Sequence, residues 1–326
     1  MTQSSSGRRL LLPLVPAYRL GLALRELRLG SGLERVRRLR FPVVSIGSLS
    51  AGGSGKTPLA IALAQALTRR GVHVDVLSRG YGRKSEAALR VDPNGSAEDF
   101  GDEPLLIARE AAVPVYVAAQ RYDAGQMAEA ALQEQTGTRV HLLDDGFQHR
   151  QLEREVNILL LDSVDLHDHL LPAGNLREPL SAMQRATVIA IPADDAAMEA
   201  WLHRAGWRGP VWRLHRRMEV PPIEGPIVAF CGIARSEQFF AGLEAAGLHL
   251  ASRISFPDHH IYKVHDLDCV RDAARSIGAT GVITTEKDRV RLGKLGETLA
   301  LKTARLRTEI EDWEELAGRL AAGLGS

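Results

Sequence analysis

"SLSAGGSGKTPLA", residues 48–60, decides how the rest of the chain reads. Its close, Gly55-Lys56-Thr57, completes a phosphate-binding signature of the form G-x-x-x-x-G-K-[ST]. The opening glycine of that signature should stand at position 50, where the chain has Ser50. The flanks supply the setting such a loop needs. "FPVVSIGSL" before it is a short apolar run with β-branched residues, as a buried strand requires. "PLAIALAQALTRRG" after it repeats apolar residues at helical spacing. Pro58 suits its first turn and Gly71 its C-terminal cap. Gly52, Gly53, Ser54 and Gly55 would turn backbone N–H groups toward an anion at a helix N-terminus. Lys56 would reach the β/γ-phosphates and the Thr57 hydroxyl would ligate Mg²⁺. Gly47 is the candidate to open the turn three residues early. The plain alternative is an ordinary glycine-rich β–α turn.

At 326 residues the chain allows one large or two modest domains. Hydrophobic content of 45% and charged content of 25% are those of a globular protein, which excludes a disordered or fibrous class. Two cysteines, Cys231 and Cys269, stand far apart, which argues against a disulfide framework or a zinc site. No run of about 18 apolar residues predicts a membrane-crossing helix. The net charge of +1 hides an asymmetry. Residues 1–40 hold nine arginines and two acids, a net +7, which leaves −6 for the other 286 residues. Interleaved apolar residues in "LLLPLVPAYRLGLALRELRL" fit a helix lying on an anionic membrane surface. The alternative is a basic helix packed on the protein's own body.

The body alternates strand-like and helix-like segments. "VHVDVLS", "VPVYVAA", "TRVHLLDDG", "VNILLLDS" and "TVIAIP" read as strands. "EPLLIAREAA", "RYDAGQMAEAALQEQ" and "DDAAMEAWLHRAG" read as helices. This order predicts a mostly parallel sheet with helices on both faces. A proline-rich break, "MEVPPIEGP", falls at residues 218–226. After it "PIVAFCGIA", "LHLASRISF" and "TGVITTEKD" read as strands between two helices, a second and smaller α/β unit. Two units joined at a hinge would leave a cleft for two substrates.

"HLLDDGFQHR" ends an apolar strand in Asp144-Asp145, where a phosphate-binding-loop fold places its metal-holding acid. The residues do not say which acid is the direct ligand, and Asp-Gly is also a common turn pair. In "FGDEP", Asp102 and Glu103 precede a helix, as capping acids also would. "FPDHH" sets Asp258 beside His259 and His260, a pairing that can tune a proton acceptor. "LLPAGNLREPL" offers Asn175, Arg177 and Glu178, and "VITTEKDRVRL" offers Thr284, Thr285, Lys287 and Asp288. Either set suits phosphate or sugar contacts, or turn and cap chemistry alone.

"SIGSLSAGGSGKTP", "SRGYGRK", "GDEPLLIA", "DDGFQHR", "LPAGNLREP", "AFCGIA", "FPDHH" and "TTEKD" occur in that order over most of the length. In this ordered set the chain resembles the tetraacyldisaccharide 4'-kinase family, whose loop also carries an early glycine matching Gly47. The resemblance implies a P-loop NTPase-like parallel-sheet domain at 41–220 and a smaller Rossmann-like α/β domain at 221–326. It implies a membrane-associating amphipathic helical segment at 1–40. It implies ATP and Mg²⁺, and transfer to the 4'-hydroxyl of an acylated glucosamine disaccharide 1-phosphate. The expected location is peripheral, on the cytoplasmic face of the bacterial inner membrane, with no nucleic acid and no obligate protein partner. By motif, Lys56 and Thr57 match the phosphate and metal contacts. Asp144 and Asp145 match the metal-site acids, with His149 nearby. Asp102 matches the candidate base, aided by the histidine of "DHH", taken as His259, with the alignment of His259 against His260 left open. Glu178 matches another acid of the site, and the role of Asn175 is open. A nucleotide-switched binding or metal-insertion factor is the alternative of a different class.

Overall fold

A computed structural model describes residues 8–131, 137–313 and 317. Its strands are β1 (Val43–Ser48), β2 (His73–Ser78), β3 (Leu89–Arg90), β4 (Val115–Val117), β5 (Arg139–Asp144) and β6 (Val156–Leu160). They continue with β7 (Val188–Pro192), β8 (Val211–Glu219), β9 (Pro226–Cys231), β10 (His249–Ser255), β11 (Gly281–Thr285) and β12 (Leu301–Ile310). All twelve join one sheet in the order β10-β9-β11-β12-β8-β7-β6-β1-β5-β2-β4-β3. The ladders are parallel except β3–β4 and β8–β12. The expected parallel-dominated α/β architecture is therefore present. The sheet does not stop at the proline-rich stretch. β12 comes back from the C-terminal part of the chain and pairs antiparallel with β8, Arg305 opposite Glu219 through Ile310 opposite Leu214.

β1 is buried at every position, as a central strand covered on both faces must be. It sits between β5 and β6. The helix Lys56–Arg69 follows and buries Leu59, Leu63 and Leu67, spaced four apart, so all three fall on one face. Each buried leucine of this kind contributes about 2 kcal/mol of apolar transfer energy. That face packs with the helix Asp102–Ala111 over β1, β2, β4 and β5. The far end of the sheet has its own two layers. Phe239, Phe240 and Leu243 cover one face of β9 and β11, and Tyr262, Leu267 and Val270 cover the other.

Some expectations need correction. Gly47 does not open the turn; it lies inside β1. A Cβ there would stand 2.5 Å from the Phe147 Cβ and 2.8 Å from its backbone nitrogen, so the glycine admits the neighbouring turn. The polar turn expected after β11 is a helix, Glu286–Leu292, capped by the Thr285 hydroxyl on the Asp288 N–H. The helix expected over 121–135 is Arg121–Ala130, and residues 132–136 lie outside the described residues. Near the N-terminus a 3-10 turn, Arg9–Leu14, leads into the helix Val15–Gly30. Among the described residues no helix is long and apolar enough to cross a membrane.

Candidate active site

The loop after β1 adopts the glycine-dependent shape that its composition implies. Gly52, Gly53 and Gly55 have φ of 76°, 66° and 87°, the left-handed region where a side chain is strained. Lys56 and Thr57 open the following helix and are buried. Lys56 Nζ turns back into the loop, 3.1 Å from Ser48 Oγ and 3.2 Å from Ser54 Oγ. It lies 3.5 Å from Asp145 Oδ1. The "LPAGNLREP" loop braces the entry: Arg177 N–H donates to Leu49 O at 2.7 Å, and Ala51 N–H donates to Asn175 O at 2.8 Å. Asn175 is also held by Asp168, which accepts from its backbone N–H at 3.1 Å and its Nδ2 at 3.0 Å.

The two acids after β5 have different surroundings. Asp145 accepts two hydrogen bonds from Arg177, both 2.9 Å. Burial would raise it, but the charges of Lys56 and Arg177 hold it below its ordinary value. Asp144 is fully enclosed. Ser78 Oγ donates to its Oδ2 at 3.1 Å, and its Oδ1 is buried without a partner. Burial, then the charges of Glu103 and Asp145, push Asp144 up to about 7. An orphaned carboxylate oxygen beside a second acid is what a hard divalent cation would satisfy. Mg²⁺ takes few protein ligands beside phosphate and water, which fits two adjacent acids and Thr57. Among the described residues no cluster of three or more metal-ligating side chains is present.

A second group of charges meets this one from the C-terminal part of the chain. Asp102 opens the helix Asp102–Ala111 and is buried. Arg291 donates to its Oδ2 through Nε at 2.8 Å and Nη2 at 2.5 Å. His259 Nδ1 stands 3.4 Å from the same oxygen, and the Tyr81 ring lies 5.3 Å from the His259 ring. Burial would raise Asp102. The hydrogen bond with His259 and the charges of Arg291 and Lys287 more than offset it and hold the carboxyl well below the usual range. The same hydrogen bond raises His259 against its burial. Lys287 pairs with Glu103. The two histidines face different acids. His260 Nε2 faces Asp266 at 3.0 Å and its ring stacks on Phe256, whereas His259, with φ of 58°, turns back to Asp102.

Not every expected residue joins. Glu178 is buried, pairs with Arg185, and leaves Oε1 without a partner. His149 is half-buried among arginines beyond Asp145. Arg177, offered by "LLPAGNLREPL", lies on Asp145, whereas two cations were not singled out from the sequence: Arg291 on Asp102, and Arg216, whose Nη2 donates to Ser54 O at 2.8 Å.

The model of the tetraacyldisaccharide-1-P 4'-kinase family matches residues 7–324. A tetraacyldisaccharide 4'-kinase of Koribacter versatilis is 40% identical over 311 residues, 92% of this chain and 94% of its own. The chain belongs to the tetraacyldisaccharide-1-P 4'-kinase family. Another member, from Parvibaculum lavamentivorans, is 41% identical over 87% of this chain and 81% of its own. The fold is also that of this kinase family. A crystal structure of LpxK from Aquifex aeolicus in complex with ATP is 32% identical, covers 97% of this chain and 99% of that one, and superposes with a TM-score of 0.74.

Proposed function

We propose that this member of the 4'-kinase family transfers the γ-phosphate of ATP to the 4'-hydroxyl of a tetraacyl disaccharide 1-phosphate, a lipid A precursor. The observation that carries the reading is the meeting of the glycine loop, with Lys56 turned into it, and the Asp102–His259–Arg291 cluster. Gly52, Gly53, Ser54 and Gly55 cradle the phosphates, and Lys56 neutralises them. Thr57, Asp144 and Asp145 would hold Mg²⁺, which when bound supplies positive charge at the phosphates. Asp102 accepts the proton of the attacking hydroxyl. A carboxyl held below the usual range is ionised at neutral pH and available for this. It is also a weak base, which suffices because phosphoryl transfer passes through a loose transition state that places little demand on proton removal. His259 and Arg291 orient that carboxylate.

Residues 41–220 form the nucleotide-binding unit, and 221–326 the smaller unit that brings His259, Lys287 and Arg291. Residues 1–40 attach the protein peripherally to the cytoplasmic face of the inner membrane, without a protein partner. Support for the attachment comes from exposed leucines. Leu10 is 82% exposed, and Leu20, Leu24 and Leu27 stand exposed along one side of the helix Val15–Gly30. Arginines interleave with them, as on an interfacial helix.

The test is purified protein with γ-labelled ATP and a panel of acylated disaccharide acceptors. Label should appear on the disaccharide 1-phosphate. Asp102→Asn should keep ATP affinity and slow single-turnover transfer. Label on no glycolipid acceptor would reject the kinase reading. An unchanged rate in Asp102→Asn would reject Asp102 as the base.

A further inference from the structure

Two glycines of the loop after β1 have close neighbours from the far end of the sheet. A Cβ at Gly53 would stand 2.6 Å from Arg235 Cγ, 2.7 Å from its Cδ and 2.9 Å from its Nε. A Cβ at Gly52 would stand 2.9 Å from the Ala234 Cβ. The turn between β9 and the helix Ser236–Ala245 therefore lies directly on the loop. Positive φ already asks for glycine at both positions, and this approach is a second, separate demand on them.

Arg235 reaches past the loop to Asp162, two residues beyond β6, and its Nη1 donates to Oδ2 at 2.7 Å. The stem lies against Gly53 while the guanidinium is turned aside to the acid. Arg291, which binds the Asp102 carboxylate, also donates through Nη1 to Gly232 O. The turn that delivers Arg235 is thus tied to the same guanidinium as the proposed base. A long cationic side chain on a phosphate loop, carried by a turn in register with the base, is placed to meet the group that is transferred.

Asp162 does not depend on Arg235 alone. Its Oδ1 accepts from Val164 N–H at 3.1 Å. Arg216 of β8 lies alongside, its Nη2 donating to Ser54 O at 2.8 Å and its Nε buried without a partner. Burial lowers the Arg216 guanidinium, the charge of Asp162 raises it and that of Arg235 lowers it, so the three groups share one field. If Arg235 turns away, Asp162 keeps Arg216 as its countercharge and Arg216 is relieved of a like charge. The release strands no buried carboxylate.

We infer that Arg235 is a catalytic arginine, held here by Asp162, that turns onto the oxygen bridging the β- and γ-phosphates during transfer. The inference rests on the kinase reading of the site. As the bond between that oxygen and the γ-phosphorus breaks, the oxygen keeps the electron pair and gains negative charge. The acceptor oxygen bonds to phosphorus, and its proton passes to Asp102. The guanidinium donates to the bridging oxygen throughout and keeps all its protons, so it acts through charge and hydrogen bonding alone. Its contribution grows as charge develops, and is larger in the transition state than in bound ATP.

The experiment compares the wild type with Arg235→Gln and Asp162→Asn by equilibrium ATP affinity and by single-turnover transfer at saturating ATP to the tetraacyl disaccharide 1-phosphate. Glutamine removes the charge and keeps a polar donor; asparagine keeps an acceptor for Val164 N–H and releases the guanidinium. Arg235→Gln should slow transfer about a hundredfold or more, the effect of losing one group that stabilises developing charge. Its ATP affinity should change a few-fold at most, which also shows that it is folded. Asp162→Asn should keep or raise the rate. A pair with a merely structural role is lost alike from either side, so a gap between the two variants under about tenfold would overturn the inference. Lost ATP affinity in Arg235→Gln with transfer intact at saturation would overturn it too. Both results leave the kinase reading standing. A wild-type chain that labels no glycolipid acceptor would reject the kinase reading, and the inference with it.

Discussion

Arg291→Met tests whether the charge cluster, rather than the local helix, holds Asp102 in its working state. Methionine keeps most of the length and removes the cation. The Arg291 side chain is 7% exposed and makes two bonds to Asp102, one of 3.1 Å to Asp288 and one to Gly232 O. The substitution leaves two buried carboxylates, Asp102 and Asp288, facing each other's region without the guanidinium between them. Removing one partner of a buried pair costs about 3–5 kcal/mol. His259 and Lys287 still face Asp102, and Tyr262 and Gly232 N–H still donate to Asp288, so the lower end, about 3 kcal/mol, is expected.

The pH dependence fixes the cause. In the wild type the folded carboxyl of Asp102 lies below its unfolded value of about 3.9. Its contribution is present above that value and is lost as pH falls through the folded one. Between pH 5 and 8 this group is then silent. Without Arg291, burial is less offset and the folded carboxyl rises. Where it exceeds the unfolded value the folded state binds more protons, and stability falls as pH rises through that window. His259 titrates in both proteins, so the difference between them is the quantity to read. Urea unfolding at pH 4.5, 6 and 8 should show the smallest deficit at the lowest pH and the largest at pH 8. The acid limb of the single-turnover rate should move to higher pH in the variant. A deficit under about 1 kcal/mol at pH 8, or one that does not grow with pH, would refute the reasoning, since it lies well short of the loss expected for a broken buried pair.

Lys56→Ala should slow transfer on the order of a hundredfold or more, because the loop offers no second cation at that place; a rate near wild type in steady-state assays would remove the lysine from the phosphate site. Glu286 is raised to about 7, chiefly by burial, against the charge of Arg307. Its folded value exceeds the unfolded one, so stability should fall as pH rises from about 4.3 to 7, by at most roughly 4 kcal/mol. Glu286→Gln should flatten that slope in unfolding midpoints at pH 5 and pH 8, and an unaltered slope would count against it. Deleting residues 1–28 removes five arginines and the apolar helix, each basic residue near an anionic surface being worth about 1 kcal/mol. Flotation with anionic vesicles should drop most at low salt; equal flotation of both chains would place the membrane contact elsewhere.

What could be read from the sequence was local. The glycines of "AGGSGKT" and the apolar run before them specify a strand, a left-handed turn and a helix within about 25 residues, so their spacing carries the geometry. The acids of "DDGF" were legible for the same reason. β8 and β12 were not, because "VWRLHRRME" and "LKTARLRTEI" are rich in charge and half-exposed, and their pairing joins segments about 90 residues apart. That ladder is what carries one sheet across the proline-rich stretch. That His259 turns back to Asp102 goes with a positive φ, which no composition announces. The pairings of the site's cations were hidden by distance along the chain. Arg291 and Asp102 are 189 residues apart, and Lys287 and Glu103 are 184 apart. An arginine in "DRVRL" looks like any surface arginine until its partner is placed beside it.

On the proposed reading, the charge arrangement also bears on how Lys56 would serve a phosphate. Four carboxylates gather at the site, Asp102, Glu103, Asp144 and Asp145, and the buried ones among them need partners. Arg291 and Lys287 are committed to Asp102 and Glu103 by direct bonds. Arg177 is committed to Asp145 by two bonds of 2.9 Å in the fork geometry that matches a carboxylate. Lys56 has only a looser 3.5 Å approach to the same acid and two contacts to hydroxyls. It can therefore leave Asp145 for an incoming phosphate without stranding a buried charge, since Arg177 remains. In the proposed reaction the guanidinium would anchor and the ammonium would move. That division follows from the chemistry of the two side chains: a rigid planar fork loses little on being fixed, and a compact charge on a flexible stem can follow its anion.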